Sequence, residues 1–146
     1  PYPMPKIITT EKYTFEAIEA PGHTEFHHAF YEKDQGWLFT GDLYLNEKVV
    51  VAFKEENMQD TINTLEKLAK LDVDTVFCTH AGVVPNGKER LKKKLAFLLE
   101  LQGRVSEYRA RGLTDKEIDK IIYPKTLPIT IVSRGEWSTY NIIHTI

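Results

Sequence analysis

Only one cysteine, Cys78, occurs in the chain, which excludes an intrachain disulfide and fits a reducing cytoplasm. No apolar run approaches the roughly 18 residues of a membrane span, and no signal-peptide pattern is visible. Charge of one sign is also scarce in surplus: 19 basic against 21 acidic residues leave a formal charge of -2. That balance implies no nucleic-acid or anionic-membrane surface. Internal repeats, low-complexity tracts and clear linkers are missing as well. At 146 residues the chain suits one domain with a real core. The expectation is a cytoplasmic protein whose partner is a small molecule rather than nucleic acid or membrane. No initiator stands at position 1: the chain opens Pro1-Tyr2-Pro3-Met4-Pro5. Either Met4 is the initiator or the chain is cut from something longer.

The periodicity alternates between sheet and helix. Lys6 to Ala20 reads as one or two strands, with Tyr13, Phe15 and Ala17 alternating against Thr14 and Glu16. His28 to Lys33 and Trp37 to Tyr44 read as a hairpin around Asp34-Gln35-Gly36. Asn46 to Asn57 reads as a loop with a short extended piece at Val49-Val50-Val51. Asn57 then caps a helix to about Leu71, striped by Met58, Ile62, Leu65 and Ala69. Val73 to Cys78 reads as a buried strand, and a helix feeding a strand is the α/β signature. Asn86 with Glu89 suggests a capping box for the longest helix, about Gly87 to Arg111. Leu91, Leu95, Leu98 and Val105 keep to one face of it, and Lys88, Arg90 and Lys92 to Lys94 read as a solvated face. Thr114 with Glu117 starts a short helix stopped before Pro124. Ser133 with Glu136 starts a last one, with Trp137, Tyr140 and Ile143 as its apolar side.

Three stretches carry chemistry. In Ala20-Pro21-Gly22-His23-Thr24 a Pro-Gly turn ends a strand and presents an imidazole. In Leu38-Phe39-Thr40-Gly41-Asp42 a carboxylate follows Gly at the end of an apolar run, and in Val76-Phe77-Cys78-Thr79-His80 an imidazole does the same. Three potential metal ligands, each at the mouth of its own strand, are hard to explain as packing. Imidazole nitrogen and carboxylate oxygen suit zinc, and also iron or manganese. A water on such a metal ionises near neutral pH, and two metals about 4 Å apart would also polarise a substrate's carbonyl or phosphoryl oxygen.

The ordered set of Gly22-His23-Thr24, Thr40-Gly41-Asp42 and Thr79-His80-Ala81-Gly82 resembles the second half of a metallo-β-lactamase-fold hydrolase, in the broad subgroup that includes glyoxalase II-like enzymes. The likeness covers roughly Phe15 to Tyr108. It implies an α/β (α+β) fold: half of an αββα sandwich, one mixed or antiparallel sheet covered by helices (about 6–85), with a mainly helical continuation (about 86–146). It further implies two zinc ions in the intact enzyme, His23 serving one, Asp42 bridging both and His80 serving the second. Asp42 is the catalytic residue of that set. His27 aligns with a second histidine common in the first motif, but Phe26 stands where the family has Gly and His28 follows directly. Support of a ligand from behind, ordinary packing and direct ligation all remain open for His27. Cys78 reads as a small core residue, with a thiolate ligand as the alternative. Trp37, Phe39 and Tyr44 read as core, and His144 as structural.

One part of the pattern is missing. The family's first half supplies a His-x-His-x-Asp-His cluster; none occurs here, and only 22 residues precede His23. Two histidines and one aspartate shared between two metals leave each ion at most two protein ligands, where catalytic zinc usually has three. The expectations are weak metal binding, an apolar sheet face without cover, and no hydrolysis by this chain alone. It would then be a fragment of a longer enzyme, or would pair with the missing half or a second copy. The substrate would be a thioester, lactone, lactam or phosphoester. Two other readings stand beside it: a non-haem iron oxidoreductase of the same fold, and an interaction module whose His and Asp are relics.

Overall fold

The computed structural model describes residues 3–146; Pro1 and Tyr2 at the chain start lie outside them. Six strands form one sheet in the order β1-β2-β3-β4-β6-β7: β1 Ile7–Thr9, β2 Thr14–Glu19, β3 His28–Glu32, β4 Trp37–Gly41, β6 Thr75–Cys78 and β7 Gly82–Pro85. Every pairing is antiparallel except β4 with β6. Their parallel junction requires a crossover, which β5 (Ala52–Phe53) and helix α1 (Met58–Leu68) occupy. The chain closes with α2 (Gly87–Ala110), α3 (Asp115–Ile122), α4 (Pro128–Val132), β8 (Trp137–Ser138) and α5 (Thr139–Thr145). β5 and β8 pair antiparallel in a small second sheet.

Period-two patterning sorts the main sheet into two unlike faces. Ala29, Tyr31, Leu38 and Val76 are buried and join Ile62, Leu65 and Leu68 of α1 and Leu91 and Leu98 of α2 in one core. On the opposite face Phe15, Phe30, Trp37, Phe39 and Phe77 are only half-buried, and none belongs to that core. Their rings pack on each other: Phe39 and Phe77 stack at 4.5 Å, and Phe15 and Trp37 meet them edge-on at 5.8 Å. Trp37 and Phe39 are therefore not core residues, because alternation sends them to the side without helices. Tyr44 is, at 4% exposure.

The remaining differences from the expected elements have local causes. β4 ends at Gly41 rather than Tyr44, because Gly41 turns to positive φ and Leu43 N–H closes on Thr40 O. Gly82 to Pro85, which the sequence reading assigns to no element, forms a strand, since Val83 and Val84 complete a hairpin with β6. Asn86 does precede α2, but in left-handed geometry and without a side-chain cap bond. The carbonyls of Asp74 and Val73 accept the N–H groups of Gly87 and Lys88 instead. The extended piece near Val49-Val50-Val51 falls one step later, as β5. Ser133 does not begin the last helix: its Oγ accepts from Trp137 N–H, Trp137 enters β8, and Ser138 caps α5. Thr114 with Glu117 forms the full capping box that the sequence suggests. Among the described residues no helix is long and apolar enough to cross a membrane.

Candidate functional site

β2, β4 and β6 run in the same direction, because β3 is antiparallel to both of its neighbours and β4 is parallel to β6. Their carboxyl ends share one rim, and each leads into one of the singled-out residues. β2 leads through Pro21-Gly22 to His23, Asp42 directly follows β4, and His80 lies in the turn between β6 and β7. Segments 19 and 38 residues apart thus meet. His23 Nε2 lies 3.6 Å from Asp42 Oδ2, and His80 Nε2 lies 3.3 Å from Asp42 Oδ1.

The turn that carries His23 is gripped by the N-cap and first two turns of α1. Asn57 N–H donates to Gly22 O at 2.8 Å, and Thr64 Oγ1 donates to Pro21 O at 2.8 Å. Gly22 sits at φ 141°, and a Cβ there would come within 2.3 Å of Thr61 Oγ1 and 2.9 Å of the Thr61 backbone. Only glycine fits so close an approach. Asn57 caps α1 by accepting from Asp60 N–H, which puts Glu56 immediately outside the helix and against His23. Glu56 Oε1 is 2.8 Å from His23 Nδ1, and the residue is 7% exposed.

Lys94 completes the surroundings. It is 4% exposed, and its Nζ donates to Leu43 O and Tyr44 O at 2.8 and 2.5 Å. A cavity of about 140 Å³ runs beside the rim, lined by His23, Asp42, Glu56 and Lys94 and by the apolar Leu43, Val49, Val51 and Met58. Burial pushes the Lys94 ammonium down to about 8, against the pull of Glu56. Burial also raises the Glu56 carboxyl, opposed by His23 and Lys94.

Sequence periodicity places Lys94 on a solvated face, and the structure corrects this. Leu91, Lys94, Leu98, Leu101 and Val105 follow one helical stripe at steps of three and four, and all are buried. The amine is tolerated there because two carbonyls receive it. Neither Lys94 nor Glu56 stands out in the sequence as part of the site. The heptad-like spacing was the available signal for Lys94; nothing local marked Glu56.

His27 packs beside the site rather than into it. Its Nε2 is 2.9 Å from Thr40 O, its ring lies over Gly41, and its centroid is 5.9 Å from that of His23. His28 Nδ1 lies 2.9 Å from Phe26 O. Cys78 is buried, its sulfur accepting from Ala81 N–H at 3.5 Å. His144, for which the sequence offers no partner, meets Asp115 Oδ2 at 3.0 Å.

The donor set fits a cation by its chemistry. Asp42 Oδ1 is shielded from solvent and accepts no hydrogen bond among the described residues. A buried carboxylate oxygen left so is costly unless positive charge meets it. The set falls short in number: among the described residues no three His, Cys, Asp or Glu side chains gather around one point. Two pairs remain, His23 with Asp42 and His80 with Asp42.

Residues 9–80 match the family model described as the metallo-beta-lactamase superfamily. A hydroxyacylglutathione hydrolase from Legionella pneumophila (strain Paris) is 35% identical over 75 residues, 51% of this chain and 29% of that protein. An atrochrysone carboxyl ACP thioesterase from Paecilomyces divaricatus is 29% identical over 91 residues, 62% of this chain and 28% of that protein. Less than a third of each relative's length is thus spanned. A solved metallo-beta-lactamase family protein from Thermus thermophilus superposes with a TM-score of 0.67 at 19% identity, over 99% of this chain and 46% of that one. Residues 9–80, about half of the chain, thus belong by the model they match to the metallo-β-lactamase superfamily, and the sheet with its shared rim of strand ends has the fold of the solved Thermus thermophilus protein.

Proposed function

We propose that this chain contributes the His23–Asp42–His80 half of the metal site of a hydrolase acting on a thioester. The observation that carries it is the Asp42 carboxylate set between two imidazoles, one oxygen toward each, with the buried oxygen unsatisfied. Bound zinc, or iron or manganese in its place, would supply an ionised water near neutral pH and an electrophile for the substrate's carbonyl oxygen. Asp42 would span two ions because each of its oxygens faces a different histidine. His23 and His80 would each complete a pair through Nε2, and the largely apolar cavity beside His23 and Asp42 would keep bulk water from that side. The thioester, among the esters, lactams and phosphoesters such a site could open, is favoured by the activities for which the two enzyme relatives are named.

Two ligands per ion are fewer than a catalytic zinc usually holds. The half-buried aromatic face and the partial span of the relatives both support a second element, the other half of the fold or another copy of this chain, that covers the sheet and adds ligands. The lone buried Cys78 supports a reducing, cytoplasmic setting.

Zinc titration of the 146-residue chain, followed by imidazole NMR signals, tests the site. His23 and His80 should shift together, with weak affinity, and Asp42→Ala should abolish both shifts. Unmoved imidazoles at millimolar zinc, or unchanged binding by Asp42→Ala, would refute the reading.

A further inference from the structure

We propose that Glu56 is the positioning residue for His23: it holds the ring with hydrogen on Nδ1 and leaves the lone pair of Nε2 turned toward Asp42. Resting on the metal reading above, this assigns a role to a carboxylate outside the three family motifs.

The geometry is built from both sides of the pair. A carboxylate oxygen accepts, so the 2.8 Å approach of Glu56 Oε1 to His23 Nδ1 calls for a proton on that nitrogen. In a neutral imidazole the other nitrogen is then the one that can ligate. His23 Nε2 is indeed the atom that faces Asp42, at 3.6 Å. Neither partner is free to drift. Glu56 N–H donates to Phe53 O at 3.0 Å, and Asn57 N–H donates to Gly22 O at 2.8 Å. That last bond joins the residue before His23 to the residue after Glu56, so a backbone rung stands beside the side-chain contact. Lys94 lines the same cavity and brings positive charge to the carboxylate's surroundings. A ligating histidine generally gives its other nitrogen to such an acceptor, and losing it costs about 10–100-fold in metal affinity.

Long-range proton–nitrogen NMR on the metal-free chain at pH 8 reads the tautomer directly. His23 should carry its proton on Nδ1 in the wild type and in Glu56→Gln, whose amide oxygen still accepts. In Glu56→Ala the ring should move toward the Nε2–H form that free side chains favour in water. Zinc affinity at His23 should fall about 10–100-fold in Glu56→Ala and less in Glu56→Gln. A wild-type His23 protonated on Nε2, or on both nitrogens, overturns the assignment, and that measurement needs no variant to fold. An unchanged tautomer in Glu56→Ala overturns it equally. Zinc failing to bind a chain that shows the Glu56-dependent tautomer supports the positioning and refutes only the metal reading.

Discussion

Replacing Gly22 by alanine is the sharpest test of how the site is held. Two costs follow from the geometry. At φ 141° an alanine is strained, by about 1–3 kcal/mol. Its Cβ would also sit 2.3 Å from Thr61 Oγ1 and 2.9 Å from Thr61 Cα and N, so the turn or α1 must move. Overpacking of this kind costs about 1–3 kcal/mol. Together the loss should be about 2–6 kcal/mol, a large share of the roughly 5–15 kcal/mol that a domain has. Urea unfolding followed by tryptophan fluorescence measures it. The companion variant Thr61→Ala removes the nearest atom and loses its bond to Asn57 O, for about 1 kcal/mol. In that background Gly22→Ala should become cheaper, yet still cost about 2 kcal/mol, because strain and the backbone contacts persist. A Gly22→Ala loss below about 0.5 kcal/mol, the range of ordinary surface changes, would refute the reasoning. So would complete rescue by Thr61→Ala, which would show that only the hydroxyl mattered.

Other outcomes can be checked separately. The 146-residue chain with added zinc should show no appreciable turnover of thioester substrates; robust hydrolysis would contradict the two-ligand account of each ion. Phe77→Ser on the open face should cost about 1–3 kcal/mol, two aromatic contacts at about 0.5–1.5 kcal/mol each, whereas Leu38→Ala on the helix-covered face should cost about 2–5 kcal/mol; a smaller loss for Leu38→Ala than for Phe77→Ser would mean that the two faces are misassigned. Lys94 should titrate near 8 when followed by NMR of its side chain, and a midpoint above 10 would contradict its burial. The sign of the linked effect is fixed. From about 8 up to the ordinary 10.5 the unfolded chain keeps a proton that folded Lys94 has lost, so this group makes folding more favourable as pH rises through that window. Lys94→Met should flatten that rise.

The positions of His23, Asp42 and His80 at strand ends were legible because each motif is local. A Pro-Gly turn, a Thr-Gly-Asp end and a Thr-His-Ala-Gly end announce themselves within a few residues. The capping box at Thr114 and the cap at Asn57 were legible for the same reason, since a cap bond spans three residues. Asn86 and Ser133 show the limit. Both have cap-like neighbours, yet the carbonyls of Asp74 and Val73 serve α2, and pairing of Trp137 with Phe53 draws the chain into β8 before α5 begins. A tertiary partner outweighed a local preference in each case.

Residue order by itself determined the alternation of strands, the apolar stripes and the three side-chain types suited to a cation, because each depends on neighbours a few positions away. Only the tertiary structure decided that Lys94 and Glu56 belong beside the site. One reaches it across 51 residues to Leu43 and the other across 33 to His23. It also decided that the helices cover one sheet face and leave the aromatic one open. Burial and long-range contact are properties of how elements pack, and no window along the chain contains both partners.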